Sequence, residues 1–383
     1  MIYLDNNSST QIAFPVLEAM RPFLSKLYGN PSSSHALGRK SRRAIETARE
    51  QVAVTLGARN PSEIVFTSGG TESINWAFQA AREMFPAKKR IVTTAVEHEA
   101  VTRNCEKLAA LGYEIVSLDV DEHGLLDLET VKHAVTAETL LVSIMQANNE
   151  TGVLFPVNEI ARIVKEQSNA LFHVDGVQAV GKIPLDLATT EIDLFSISGH
   201  KFHAPKGVGA LYIHENLQFA PLLLGGGQER NRRAGTENLH AVVGLGAACQ
   251  LAENLDFESE IKSLRDRLEN EILQKFPNAR VRGTRNPELR LPNTTSISFL
   301  GIEGESLMAH LDAQQIYVST GSACNSETHA ASKVLSAMNI PYHEAMGTIR
   351  FSLSRLTTAQ EIETVINVVA DVIEKLTSIS PLT

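Results

Sequence analysis

Between residues 64 and 213, short apolar runs alternate with longer stretches in which apolar side chains recur every three or four positions. The runs at 64–66, 90–94, 114–118, 140–145, 171–174, 194–197 and 209–213 have strand length. The stretches at 72–85, 100–111, 128–135 and 157–166 have helical period. Strands and helices taken in turn predict a largely parallel sheet with helices on both faces. Only a short glycine turn (Gly207, Val208, Gly209) precedes the last run, so that strand is expected to run antiparallel.

Ahead of this region, residues 15–57 read as helix, interrupted by the turn cluster GNPSSS at 29–34. After Gly235 a helical tract extends to Phe276, and the remainder is mixed. Strands are expected at 294–300, 316–319 and 348–354, with a helix at 305–311. In 348–354, Ile349, Phe351 and Leu353 face one way and Arg350, Ser352 and Ser354 the other. A closing helix aligns Ile362, Val365, Ile366, Val369, Val372, Ile373 and Leu376 on one side. The pattern therefore predicts an α/β chain: a large, mostly parallel-sheet domain followed by a smaller α+β domain.

Composition narrows the class. The 383 residues are 43% apolar and 21% charged, ordinary for a soluble globular protein with one large and one smaller core. The formal net charge is −9 and no basic block occurs, so neither nucleic acid nor an anionic membrane is an expected partner. The opening MIYLDNNSST has no charged leader or signal-length apolar segment, and no apolar run reaches bilayer length. Three cysteines (Cys105, Cys249, Cys324) are too few and too far apart for a disulfide framework or a zinc ribbon, which points to a reducing cytoplasm. His200 and His203 lack the spacing of a zinc helix, and no metal is expected.

Ligands of parallel sheets sit beyond the carboxyl ends of the strands, and polar residues collect there. The runs are followed by TSGGTES (67–73), EHE (97–99), QANNE (146–150), DGVQ (175–178) and SGHK (198–201). Lys201 follows a buried strand among hydrogen-bonding residues. A lysine there is either a solvated loop residue or an amine nucleophile for aldehydes such as pyridoxal phosphate. Gly70 and Thr71 at a helix start suit an anion, and equally suit a plain turn. Asp175 is a helix cap or the partner of a pyridine nitrogen. His98 is a cap or a ring that stacks on a planar cofactor. Cys324 lies in the polar run STGSACNS, where an exposed thiol suggests a nucleophile, whereas Cys105 and Cys249 lie in helical stretches as packing residues. Arg350 is a fork for a carboxylate or a surface ion pair. The stretches GGGQER (225–230) and RRAGTE (232–237) offer a glycine-rich, locally basic loop.

Together these motifs resemble the cysteine desulfurases of the NifS/IscS type. The resemblance runs nearly end to end through YLDNN, YGNPSS, FTSGGTES, VEHEAV, NNETGV, HVDGVQAVGK, SGHKFHAPKGVGAL, RRAGTEN, GSAC and IRFSLSR. It implies a pyridoxal phosphate enzyme of transferase fold type I, with the large domain at 14–255 and a small domain of 1–13 and 256–383 that carries the catalytic cysteine. By this resemblance Lys201 would form the Schiff base, Asp175 would pair with the ring nitrogen and His98 would stack on the ring. Asn149 and Gln178 would lie near the phenolic oxygen. Gly70, Thr71, Ser198 and His200 would hold the phosphate, with Thr236 from the neighbouring subunit of a homodimer. Arg350 and Asn149 would bind the carboxylate of L-cysteine. Cys324, on a long mobile loop, would take the sulfur as a persulfide for an iron–sulfur scaffold or another sulfur-acceptor protein, including one in tRNA thiolation. Asn231 stands where relatives usually have glycine, and NSSTQ at 7–11 replaces the usual NATTP.

Other classes stay open at this level. A selenocysteine lyase or a cystine C–S lyase would share the cofactor residues. Ser198-x-x-Lys201 formally matches a serine-hydrolase motif whose companion motifs are missing. A non-enzymatic docking scaffold would not need so complete a set of site residues.

Overall fold

The structure, a computed structural model, describes residues 1–253, 257–320 and 331–379. The chain begins with a two-residue strand, β1 (Ile2–Tyr3). It then lays down β2 (Ile64–Thr67), β3 (Arg90–Thr94), β4 (Glu114–Leu118), β5 (Thr139–Met145), β6 (Leu171–Asp175), β7 (Leu194–Ser198) and β8 (Gly209–Ile213). These seven strands form one sheet in the order β2-β8-β7-β6-β5-β3-β4. β8 pairs antiparallel with both β2 and β7, and the remaining pairs are parallel, as the short glycine turn predicts.

Both faces of this sheet are dry except at the edge strand β4, where Glu114 and Ser117 are exposed, and that burial is why most of its strands read as apolar runs. Phe172, Val174, Phe195 and Ile197 point into one core, beneath the helices Phe14–Ser25, Ala36–Leu56 and Leu239–Glu253. Leu171, Leu194, Leu141 and Leu211 point into another, with Trp76, Phe78 and Ala81 of the helix Gly70–Met84. Successive residues of one strand thus serve opposite cores.

The later part of the chain forms β9 (Ala279–Arg282), β10 (Thr294–Phe299), β11 (Ile316–Tyr317), β12 (Ser319–Thr320) and β13 (Thr348–Ser352). A four-stranded sheet runs β12-β13-β10-β9, and β1 pairs parallel with β11. Its apolar side joins Ile297, Ile349 and Phe351 to Val365, Ile366 and Val369 of the closing helix Ala359–Ile379, with Leu4 added from the N-terminus. The expected strand at 316–319 is two strands in two sheets, because the chain steps sideways at Val318. β9 was not anticipated: ARVR alternates, but two arginines mask the pattern.

The alternation in β13 appears as expected, with one difference. Its polar side is not solvated: Arg350 is 5% and Ser352 0% exposed, because both pack against the N-terminal turn. Ser352 Oγ accepts from Asn7 N (3.0 Å), and Asn6 Nδ2 donates to Ser352 O (2.9 Å). Among the described residues, no helix is long and apolar enough to cross a membrane.

Candidate active site

Six strands of the large sheet point the same way, so their carboxyl ends share one edge, and a cavity of about 370 Å³ opens there. The turn after β7 is a single tight 3-10 turn, Gly199–Lys201. It places Lys201 in the cavity wall, where Nζ donates to Asn7 O (2.7 Å) and Ser8 O (3.0 Å). Ser198 and His200 line the same wall. Burial, with Lys201 and Lys206 nearby, brings the His200 imidazole down to about 4, so its ring is neutral at physiological pH.

Opposite, the helix Gly70–Met84 begins at the cavity with no side-chain cap, leaving its first N–H groups to face the space. Gly69 takes a φ of 150°, a conformation L side chains rarely adopt. A Cβ on Gly70 would lie 2.7 Å from Val177 Cγ2, so this close approach needs glycine. Thr71 also lines the cavity. At the end of β6, Asp175 keeps only 6% exposure and accepts from Val177 N (3.0 Å). Burial raises its pKa, against the pull of the Val177 N–H, His98 and Lys201. A carboxylate held in that state is stabilised by a cationic N–H.

His98 is exposed at the rim and caps the helix Glu99–Ala109, its Nδ1 accepting from Ala100 N (3.1 Å). The cap and the cavity-facing ring are thus one residue. Gln178 and Asn149 complete the lining together with Arg350 from β13 of the other sheet. Gln178 is oriented by Lys182: Nζ donates to its Oε1 (2.6 Å), so the amide Nε2 donates to Asn7 O (2.9 Å). Burial, and then Lys201 and Arg350, hold the Lys182 amine well below the usual lysine range.

One cavity therefore collects Gly70, Thr71, His98, Asn149, Asp175, Gln178, Ser198, His200, Lys201 and Arg350. Thr236 does not line it and is exposed. Cys324 lies outside the described residues. Cys105 and Cys249 are buried, and burial pushes both thiols up to about 12, as inert packing residues require.

Several residues at the site escape a reading by residue type. The N-terminal turn is the largest omission. Asn7 Nδ2 donates to Asn149 O (3.1 Å) and Thr294 Oγ1 (2.9 Å), while its Oδ1 accepts from Lys182 (3.2 Å) and Asn293 (3.1 Å). Glu150 lines the cavity half-buried, is bonded by Ser332 Oγ (2.5 Å), and burial pushes its carboxyl up to about 7. Glu97, beneath the floor, accepts from Thr94 Oγ1 (2.7 Å) and Met145 N (3.0 Å). Burial, with Asp175 adding to it, raises its carboxyl to about 8.

The donor set fits pyridoxal phosphate. An uncapped helix start and hydroxyls face one end, an amine stands at the wall, and a buried carboxylate in need of positive charge stands below. The comparisons with known proteins agree. The aminotransferase class-V family matches residues 2–365. A cysteine desulfurase of Nostoc sp. is 51% identical over 384 residues, covering 100% of this chain and 95% of the relative. The solved structure of a NifS-like protein superposes with a TM-score of 0.91 at 39% identity, covering 98% of this chain and 100% of that one. The structure of SspA in complex with cysteine has a TM-score of 0.82 at 32% identity, over 94% and 100% of the two chains.

Proposed function

We propose a division of labour among the cavity residues on this premise: the chain belongs to the class-V aminotransferase family, and is a pyridoxal phosphate-dependent cysteine desulfurase of transferase fold type I. It converts L-cysteine to L-alanine. Bound in the cavity, the cofactor supplies an aldehyde that captures the substrate amine and a protonated ring that withdraws electrons from Cα.

With the cofactor bound, Lys201 would hold its aldehyde end, and the ε-amine would move the proton at the substrate Cα. Asp175 would keep the ring nitrogen protonated, and His98 would lie against the ring. The first N–H groups at Gly70 and Thr71, with Ser198 and His200, would bind the phosphate. Gln178 and Asn149 would serve the phenolic oxygen, and Arg350 with Asn149 would hold the substrate carboxylate. The Cys324 thiolate attacks the substrate sulfur. The S–S bond forms as the Cβ–S bond breaks, leaving a persulfide on Cys324 and, after protonation, alanine.

The carrying observation is that an amine, a buried carboxylate, an uncapped helix start and a guanidinium from the second sheet all line one cavity. The test is incubation of the pure holoenzyme with L-cysteine, with alanine quantified and the persulfide located by mass spectrometry. Cys324→Ala is expected to keep the cofactor chromophore and lose desulfuration, and Lys201→Ala to lose turnover. Full alanine production by Cys324→Ala would overturn the persulfide route.

The same reading makes the protein a cytoplasmic homodimer that passes sulfur to an iron–sulfur scaffold or another acceptor protein, with Thr236 reaching the partner's phosphate site. The exposure of Thr236 at the end of a glycine-rich loop supports that role. The division into 14–255 and 1–13 with 256–383 is supported by the packing of Leu4 with Ile297, Phe351 and Ile366 in a core of their own.

A further inference from the structure

Arg350 already has a carboxylate partner. Its Nη2 donates to Asp5 Oδ1 (2.6 Å) and to Ser8 Oγ (2.7 Å), and Ser8 Oγ itself donates to the same Asp5 oxygen (2.7 Å). Nη1 donates to Asn149 O (3.1 Å). The arginine side chain is 6% exposed and that of Asp5 21%. Arg350 Nε is buried and has no partner among the described residues.

A guanidinium offers two planar forks to a carboxylate, Nη1–Nη2 and Nε–Nη2, since the third edge is blocked by its own Cδ. Nη2 belongs to both forks. Its two hydrogens are the ones that Asp5 and Ser8 occupy. A carboxylate that binds Arg350 bidentately must therefore take one of those hydrogens from the N-terminal turn or share it. The unpartnered Nε supplies the second bond of the fork once Nη2 is released.

We propose that Asp5 is a positioning residue that holds Arg350 as its resident counter-ion and competes with the substrate carboxylate for Nη2, so that it sets the affinity for substrate and product. The inference rests on the reading of Arg350 as the carboxylate-binding residue. It also gives the N-terminal turn a double hold on the site, because Asn7 O and Ser8 O accept from Lys201. Lys201 and Arg350 are both held by the same four-residue turn, 5–8.

The test uses Asp5→Asn, which keeps the size and the acceptor oxygen and removes the charge. KM for L-cysteine and the inhibition constant of L-alanine are both expected to fall roughly three- to tenfold, the span of a partly exposed ion pair. kcat is expected to move by less than KM. Propionate, which has a carboxylate and no amine, serves as the direct probe. By calorimetry, on protein with and without cofactor, it is expected to bind more tightly to Asp5→Asn by the same factor. Asp5→Glu restores the charge and is expected to return all three constants toward wild type. Should Asp5→Asn fold poorly, Ser8→Ala frees one Nη2 hydrogen and is expected to tighten propionate by a smaller factor.

Arg350→Gln separates the two ideas. If it leaves propionate binding and KM unchanged, the carboxylate reading of Arg350 fails. If Arg350→Gln weakens both while Asp5→Asn leaves them unchanged or weaker, Asp5 only supports the fold and the proposal is overturned.

Discussion

Burial turns two ordinary glutamates at this site into neutral acids near physiological pH. Glu150 borders the cavity beside Arg350 with its carboxyl raised to about 7. Below that pH it is uncharged and, on the proposed function, leaves the Arg350 charge to the substrate carboxylate; above it, a second anion stands in the wall. KM for L-cysteine is therefore expected to rise several-fold as pH climbs through 7, and Glu150→Gln to flatten that part of the KM profile. Glu97 lies deeper, with its carboxyl raised to about 8 and Oε2 without a partner among the described residues. Its folded-state pKa lies above the ordinary value, so the folded protein holds a proton that the unfolded chain releases. The corresponding stability is complete below the ordinary carboxyl range and is lost as pH rises toward 8. Urea unfolding at about pH 5 and about pH 8 is expected to show wild type losing more stability than Glu97→Gln, by roughly a few kcal/mol. Equal losses in the two proteins would remove Glu97 as the cause.

At the scale of elements, most strands of the large sheet were legible because both their faces are dry, so burial alone writes an apolar run; the half-exposed edge strand β4 was legible from Ile115, Val116 and Leu118. β9 and the division of 316–320 were not, since two arginines and a single-residue step leave no periodic trace. The lining of the cavity was legible where a distinctive side-chain type marks it, as in Lys201, Asp175 and Arg350. It was not legible at Asn7 and Ser8, whose main-chain carbonyls bind Lys201, because every residue has a carbonyl. Nor did residue type separate Glu97 from His98, or Glu150 from Asn149, where depth decides the role. The loop that leads to Thr236 shows a similar limit. Glu229, Arg230 and Asn231 take φ of 47°, 58° and 66°, an unfavourable run for residues that are not glycine. It is fixed by a buried pair, Arg49 Nη1 to Glu229 Oε2 at 2.7 Å with both side chains 2% exposed, while Phe66 N donates to the same oxygen (2.8 Å). Glu229→Gln is expected to cost about 1–3 kcal/mol in urea unfolding, since it leaves the buried Arg49 with Glu46 alone, at 3.3 Å, as its carboxylate partner among the described residues. A loss below ~1 kcal/mol would mean that the loop needs no such anchor.

At the scale of the whole molecule, the cavity draws on two sheets, with Lys201 and Asp175 at the end of the seven-stranded sheet and Arg350 on the four-stranded one. On the proposed function their separation must be held to within a fraction of an ångström, yet among the described residues no strand is shared by the two sheets. One bridge is the pairing of Val153 with Arg290 and the main-chain bonds beside it; the other, at the cavity, is the N-terminal turn. Asn7 alone joins Lys182 and Asn149 on the large-sheet side to Asn293 and Thr294 on the other, entirely through its side-chain amide and while 1% exposed. Asn7→Ala removes those bonds and leaves buried Lys182 with Gln178 Oε1 as its one acceptor among the described residues, so the cost exceeds that of a single neutral hydrogen bond. A loss of about 3 kcal/mol or more is expected in denaturant unfolding. Lost coupling has a second signature. If the turn is what makes the two cores melt together, Asn7→Ala should separate the near-ultraviolet signal of Trp76, which packs on the large sheet from the helix Gly70–Met84, from the far-ultraviolet signal of the whole chain. Coincident transitions at unchanged midpoint would show that direct packing between the two cores, rather than the turn, sets the distance between the amine and the guanidinium.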